Sequence, residues 1–345
     1  MQKIILVLTI MLISFGGCNY NDDSNNAEVT PSKNIENPTE SEINKSKIIE
    51  VSAGGYFTVA LKDDGTVIAW GKNNYGQCNV PSDLRNVKQI SAGYEHAVAL
   101  REDGTALVWG RYSLEQNQFI SKFQNIKDIS ANYSYTAFVC ETGKLYSCGN
   151  SEDVDFGAEG LVFKDVVEKV DTAEQHLLAL DRNGNLIITG RARSELVNIP
   201  DNIGSVADFS ACSSFCVALN TNGEIFAWGF NTAGELDVPD GLSDVVDIET
   251  GWFTGVALRE NGTLVSWGAT ENKALNESGD INEIIDVSVS RSHIIALKSD
   301  GTIFTWGEKD KYEVPPPSDV VIVKKQVWYG ALNINKPEKS QSRTL

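Results

Sequence analysis

Between Lys47 and Gly307 the chain is a run of short apolar segments broken by polar-glycine pairs at a nearly constant interval. The pairs are Asp64-Gly65, Asp103-Gly104, Thr142-Gly143, Asn183-Gly184, Asn222-Gly223, Asn261-Gly262 and Asp300-Gly301, and their glycines are 39, 39, 41, 39, 39 and 39 residues apart. Asp-Gly or Asn-Gly between apolar runs predicts a tight β-hairpin of type I′, whose two central residues both take φ > 0. Past each glycine comes Trp-Gly (Trp70, Trp109, Trp228, Trp267, Trp306) or a substitute, Cys148-Gly149 and Thr189-Gly190. Before each hairpin stands Ala-Leu, as in Ala60-Leu61 and Ala99-Leu100, with Phe138-Val139 as the exception.

Each unit therefore reads as strand, tight turn, strand, glycine hairpin, strand and a longer loop. Runs such as Phe57-Thr58-Val59-Ala60-Leu61 are apolar or small at nearly every position. A strand with one wet face alternates instead, so these strands belong to sheets covered on both sides. A ring of small sheets stacked face to face supplies that cover and leaves no open end. The expected fold is an all-β, seven-bladed β-propeller over residues 47–333, and no helical period is evident in it. A partial repeat follows, with Val320-Val321-Ile322-Val323 and Trp328-Tyr329-Gly330-Ala331-Leu332. It is expected to help close the ring by pairing with an end blade, an incomplete eighth blade being the alternative.

The ends differ from the body. Lys3 precedes an apolar run from Ile4 to Phe15, too short to span a bilayer comfortably, which predicts a signal peptide over 1–17. The run ends in Ser14-Phe15-Gly16-Gly17-Cys18, which resembles the lipobox of bacterial lipoproteins, with Phe15 where Leu is usual. That resemblance implies lipidation of Cys18 and a membrane held only through lipid, on the outer face of the cytoplasmic membrane or on an outer membrane where one exists. Residues 18–46 are polar and predict a disordered tether reaching roughly 30 Å. Residues 334–345 predict a disordered tail.

The 345 residues carry 29 basic and 47 acidic side chains, a net charge of −18. A field of that sign repels phosphate backbones and anionic head groups, so no nucleic acid partner is expected. His96, His176 and His293 share one repeat position with Phe57, Tyr135 and Phe215, which makes it a packing slot. They fall in blades two, four and seven, too far apart for one metal. No metal, cofactor or catalytic set is expected. Cys212 and Cys216 flank a tight turn and are a candidate disulfide, set by Cα separation.

The turn after the first strand of each unit must emerge on one face of such a ring. Its tips include Tyr56, Tyr94, Glu95, Tyr133, Trp252, Phe253 and Arg291. Loop-borne aromatics beside charged residues have the composition of a binding hot spot. These seven are the candidate partner-binding residues.

The run Ser52-Ala53-Gly54, Ala60-Leu61, Asp64-Gly65, Trp70-Gly71, Asn73 and Gly76-Gln77 resembles the regulator-of-chromosome-condensation repeat in its short bacterial form. With Val80-Pro81 it is also similar to the repeats of propeller-type β-lactamase inhibitors. The resemblance spans 49–332, is weaker in repeats three and four, and implies a seven-bladed propeller. The inhibitors use this same face against their target enzyme. The expected function is a monomeric, non-catalytic module that binds a protein or cell-envelope partner. Two alternatives are an inhibitor of an exported enzyme such as a β-lactamase, and an envelope hydrolase or lyase.

Overall fold

The computed structural model describes residues 46–149, 161–163, 166–269, 281–307 and 315–324. The signal segment, Cys18, the tether up to Lys45, the tail and Trp328–Leu332 lie outside the described residues. The chain divides into Met1–Lys45 and Ser46–Leu345, and all described residues belong to the second unit.

Seven antiparallel sheets follow one another, each with an inner, a middle and an outer strand. The inner strands are Ile48–Ala53, Val87–Ala92, Ile126–Asn132, Val167–Thr172, Val206–Ala211, Val245–Thr250 and Ile284–Val289. Every one of them carries a bulge between its first and third residues. The middle strands are buried nearly throughout, as Phe57–Lys62 and Phe215–Asn220 illustrate. That is the two-sided cover their unbroken apolar runs require.

The core is divided among the seams. Seven apolar clusters each join two adjacent blades. One of them joins Val51, Ala60 and Trp70 of blade one to Ile295, Leu297 and Ile303 of blade seven, so the ring is closed. In blades two, five and six the indole of the kept tryptophan ties down the loop of the preceding blade. Trp109, Trp228 and Trp267 donate Nε1–H to the carbonyls of Gln77, Leu196 and Glu235, each at 2.9 Å.

A second device runs round the axis. Alternate positions of the inner strands are polar, and most of these side chains accept a hydrogen bond from a backbone N–H of the next blade, while Gln89 and Lys169 donate to neighbouring carboxylates. Ser52 accepts from Ala92, Ser91 from Ala131, Ser130 from Thr172, Asp171 from Ala211 and Ser210 from Thr250, at 2.8–3.1 Å. Glu50, Asp128 and Asp208 do the same two residues earlier, toward Ile90, Val170 and Ile248. The series passes from the last blade to the first: Asp286 Oδ2 accepts from Val51 N at 2.7 Å, and Ser288 Oγ from Ala53 N at 3.0 Å.

Three expectations are decided by the geometry. The glycine hairpins are not type I′. Only the glycine takes positive φ, 73–86° in all seven, while the residue before it does not. Gly65 N–H donates to Lys62 O, and Lys62 N–H to Thr66 O, the pattern of a type I turn closed by a left-handed glycine bulge. Asp64 serves that turn by accepting from the backbone and hydroxyl of Thr66, at 2.9 and 2.6 Å. Second, the partial repeat pairs with an end blade as expected: Ile322–Lys324 adds a parallel strand to the outer edge of blade seven, and Val320 and Ile322 pack against the seam that joins blade seven to blade one. Third, the loop after blade two holds one helix, α1 (Ser113–Ile120). It is too short to show a period, and Asn117 fastens it by exchanging hydrogen bonds with Val108 N and O, as a neighbouring strand would.

Candidate functional site

The inner strand of each blade ends in a tight turn, and the outer strand runs back to the same end. Lys72 N–H donating to Tyr56 O at 2.9 Å, and Arg111 N–H to Glu95 O at 2.9 Å, put the post-Trp loops beside the turn tips. One face of the ring therefore holds both sets, and the glycine hairpins occupy the other.

On that face the tips touch from blade to blade. The Tyr56 and Tyr94 rings lie edge to face with centroids 6.0 Å apart, and Tyr94 stacks on Tyr133 at 5.2 Å. Trp252 stacks on Phe253 at 5.3 Å, and the Arg291 guanidinium lies over Trp252 at 3.4 Å. Ser214 Oγ donates to Trp252 O at 2.7 Å, and Ser292 Oγ to Gly55 O. These contacts link the tips of blades five, six, seven, one, two and three into an arc. Tyr56, Tyr133 and Trp252 are 41%, 38% and 39% exposed, high values for rings of their size in a folded body. Burial, with Tyr56 adding to it, pushes the Tyr94 hydroxyl up to about 12, so it remains a neutral donor.

Glu95 does not reach outward as an isolated charge. Arg111 Nη1 meets Glu95 Oε2 at 2.5 Å and Lys72 Nζ lies 3.7 Å from Oε1. The structure thus gathers all seven predicted residues on one face and adds members that the turn argument left out. Arg111 lies against both Tyr75 and Tyr112, 4.7 and 4.6 Å from the ring centroids, and Lys72 sits 5.5 Å over Tyr56. Tyr75, Tyr112 and Leu114 are exposed beside them. The signal for these was available: Gly71-Lys72 and Gly110-Arg111-Tyr112 follow the outer strand, which ends on the tip side.

Other candidates lie apart from this face. His96 Nε2 faces Thr136 Oγ1 at 3.1 Å, His176 Nε2 faces Cys216 Sγ at 3.9 Å, and His293 Nε2 faces Thr58 Oγ1 at 3.5 Å, each in a different seam. Burial brings His96 and His176 down to about 4, so both are neutral spacers. Among the described residues no group of His, Cys, Asp or Glu is arranged to hold a metal ion. Cys212 and Cys216 are unbonded, a correction to the candidate disulfide. Cys212 packs into the seam with blade six and Cys216 into the seam with blade four, so their sulfurs face opposite sides of blade five.

Closed seams and repeated sheets place the chain among β-propellers. It carries the Regulator of chromosome condensation (RCC1) repeat, matched at residues 48–77, 87–113 and 284–311. Over 39 residues it is 54% identical to the X-linked retinitis pigmentosa GTPase regulator homolog of Caenorhabditis elegans, a stretch covering 11% of this chain and 3% of that protein's length. Three solved structures share the fold. Human WBSCR16 matches with TM-score 0.58 and 19% identity, over 73% of this chain and 87% of its own. The ectodomain of the Arabidopsis thaliana receptor kinase ACR4 matches with TM-score 0.61 and 14% identity, over 78% and 98%. Prp20p of Saccharomyces cerevisiae, described with its binding to Gsp1p and histones, matches with TM-score 0.59 and 18% identity, over 76% and 84%.

Proposed function

We propose that this chain is a non-catalytic binding module that docks a protein partner on its aromatic face. The observation that carries the reading is the arc of linked turn tips with Tyr56, Tyr133 and Trp252 exposed, on turns that other blades make without an aromatic. Large rigid aromatics offered on loops are costly to leave in water and are the usual anchors of protein interfaces. The fold shared with Prp20p, a protein described with its binding to proteins, supports a binding role without naming a partner. The lipobox-like Ser14–Cys18 segment supports a second part of the reading: the module is exported and held at a membrane by lipid on Cys18.

Affinity capture from a cell-envelope extract tests the first part. Tyr94→Ala with Trp252→Ala should abolish capture while circular dichroism shows the β fold retained, since Trp252 is exposed and Tyr94 only half-buried. Capture that survives both substitutions rejects this face. Radiolabelled palmitate incorporation that persists in Cys18→Ala rejects the anchor. An inhibitor of an exported β-lactamase is a specific form of the same reading, which the resembling inhibitor repeats support. Unimpaired hydrolysis at micromolar protein removes that form.

A further inference from the structure

The aromatic face is charged differently from the rest of the chain. Among the described residues, the linked tips and the loop residues packed on them hold Lys72, Arg111 and Arg291 beside Glu95, on a molecule with 47 acidic and 29 basic residues. Glu95 is shared between Lys72 and Arg111. Arg291 is exposed and makes no ion pair among the described residues. It lies flat on Trp252 and is close enough to bias the Tyr94 hydroxyl electrostatically. A guanidinium held by its face keeps its in-plane N–H fork open, the geometry that receives a carboxylate with two parallel hydrogen bonds.

The rings themselves narrow the class of ligand. A sugar stacks on an open aromatic face. Trp252 is instead in contact with Phe253 and covered by Arg291, Tyr94 is engaged by Tyr56 and Tyr133, and Arg111 lies on Tyr75 and Tyr112. At Trp252 and Tyr94 this leaves ring edges and the clefts between them. The tyrosine centroids step by 6.0 and 5.2 Å along the arc. Alternate side chains of an extended polypeptide recur every ~6.4–6.8 Å, a slightly longer step.

We propose that the aromatic face receives an acidic, extended polypeptide segment, with a carboxylate seated on Arg291 and alternate apolar side chains against Tyr56, Tyr94 and Tyr133. This rests on the reading of that face as the docking surface and adds the chemistry of what docks. Complementary charge sets which partner is accepted and how fast it arrives more than how tightly it holds. An unpaired arginine within an acidic molecule therefore selects partners of the same overall sign by one local exception.

The full-length protein can be titrated with three fluorescent peptides sharing alternate Leu and Tyr residues, whose intervening positions are all Glu, all Gln or all Lys. The expected order is Glu tighter than Gln by about tenfold at low salt, a difference of about 1.4 kcal/mol, with Lys weakest. Arg291→Gln should erase the Glu-over-Gln preference, whereas Tyr94→Ala should weaken both peptides and keep it. If Glu and Gln peptides bind equally, or the preference survives Arg291→Gln, the acidic-segment proposal falls, and the docking face stands provided Tyr94→Ala still weakens binding. If no peptide binds, or Tyr94→Ala changes nothing, the docking reading falls with it. Tighter binding of chitooligosaccharide, inorganic phosphate or phosphatidylglycerol vesicles than of the Glu peptide would overturn the polypeptide assignment.

Discussion

At Gly104 two requirements meet. Its φ is 78°, and a Cβ there would sit 2.8 Å from Asn125 Cα, because Gly104 O accepts from Ile126 N as the next blade begins. Gly301 has φ 86° and nothing within 4 Å of the same position. Gly301→Ala should therefore cost about 1–2 kcal/mol from backbone strain alone, and Gly104→Ala clearly more, because Asn125 must also move. Paired thermal melts check this; equal losses would mean the close approach is relieved at no cost. His96 provides a second test. Its folded-state value is about 4 against an ordinary 6.5, so the native ring holds a neutral imidazole where the unfolded chain would take up a proton. Stability from this group is complete above pH 6.5 and is lost as pH falls toward 4, by roughly 3 kcal/mol. His96→Tyr, which copies Tyr135 of the next blade, should fold and show a shallower loss between those values in urea titrations. An unchanged slope would place the acid sensitivity elsewhere. Residue identity was enough to assign the histidines to packing slots, because Phe and Tyr stand at the same repeat position. It was not enough for the cysteine pair, because closeness along the chain says nothing of which seam each sulfur enters.

At the scale of the strand and its hairpin, the repeat was legible and the turn geometry was not. Polar-glycine pairs announced seven hairpins, and seven are present, but the same dipeptide serves a two-residue turn or a three-residue turn with a glycine bulge. At five of the seven hairpins the first amide of the next blade donates to the glycine carbonyl, as Val87 does to Gly65, a contact the dipeptide itself does not announce. Likewise, the Ser-Ala-Gly element was visible as a motif, but its role in the seam depends on a blade about 40 residues away. Helix α1 was hidden because two turns held by Asn117 carry no period to detect. The inner strands also set a pH response of opposite sign to that of His96. Burial, then Asp247, Asp171 and Asp208, push the Glu249 carboxyl well above its ordinary range, with Lys169 opposing them. A raised carboxyl value means this site becomes more stable as pH falls toward the ordinary value of 4.5, and less stable at neutrality. Glu249→Gln should then stabilise the protein at pH 7 by on the order of 1 kcal/mol, a rise of roughly 2–4 °C, and flatten this part of the pH curve. A lower midpoint at pH 7 would show that the charge of Glu249 is needed.

For the whole molecule, the decisive fact is that blade seven bonds to blade one. The repeat count implied a ring, but not which strands would join its ends, because the partial repeat offered apolar runs that fit either an eighth blade or an added edge. Asp286→Ala with Ser288→Ala should lower stability by about 2–5 kcal/mol, since Val51 and Ala53 would keep two buried amides without acceptors. Native-state hydrogen exchange should then show blade one opening before blade four, whose inner strand still finds its acceptors in blade three. Uniform exchange around the ring would contradict this.

The bonds from backbone amides to inner-strand side chains pass in one rotational sense, with blades one to five and blade seven each lending an acceptor to the one after it. Synthesis proceeds in the same sense, so blades two to six find these acceptors already waiting on the one before. The exception is the earliest blade, whose two amides wait for side chains made 235 residues later. The part of the molecule born first is thus the last to be finished, and a nascent chain halted after its sixth blade carries an unsealed strand at its amino end, free to pair with a neighbour. The final bonds do more than add stability: they withdraw that strand from every other chain in reach.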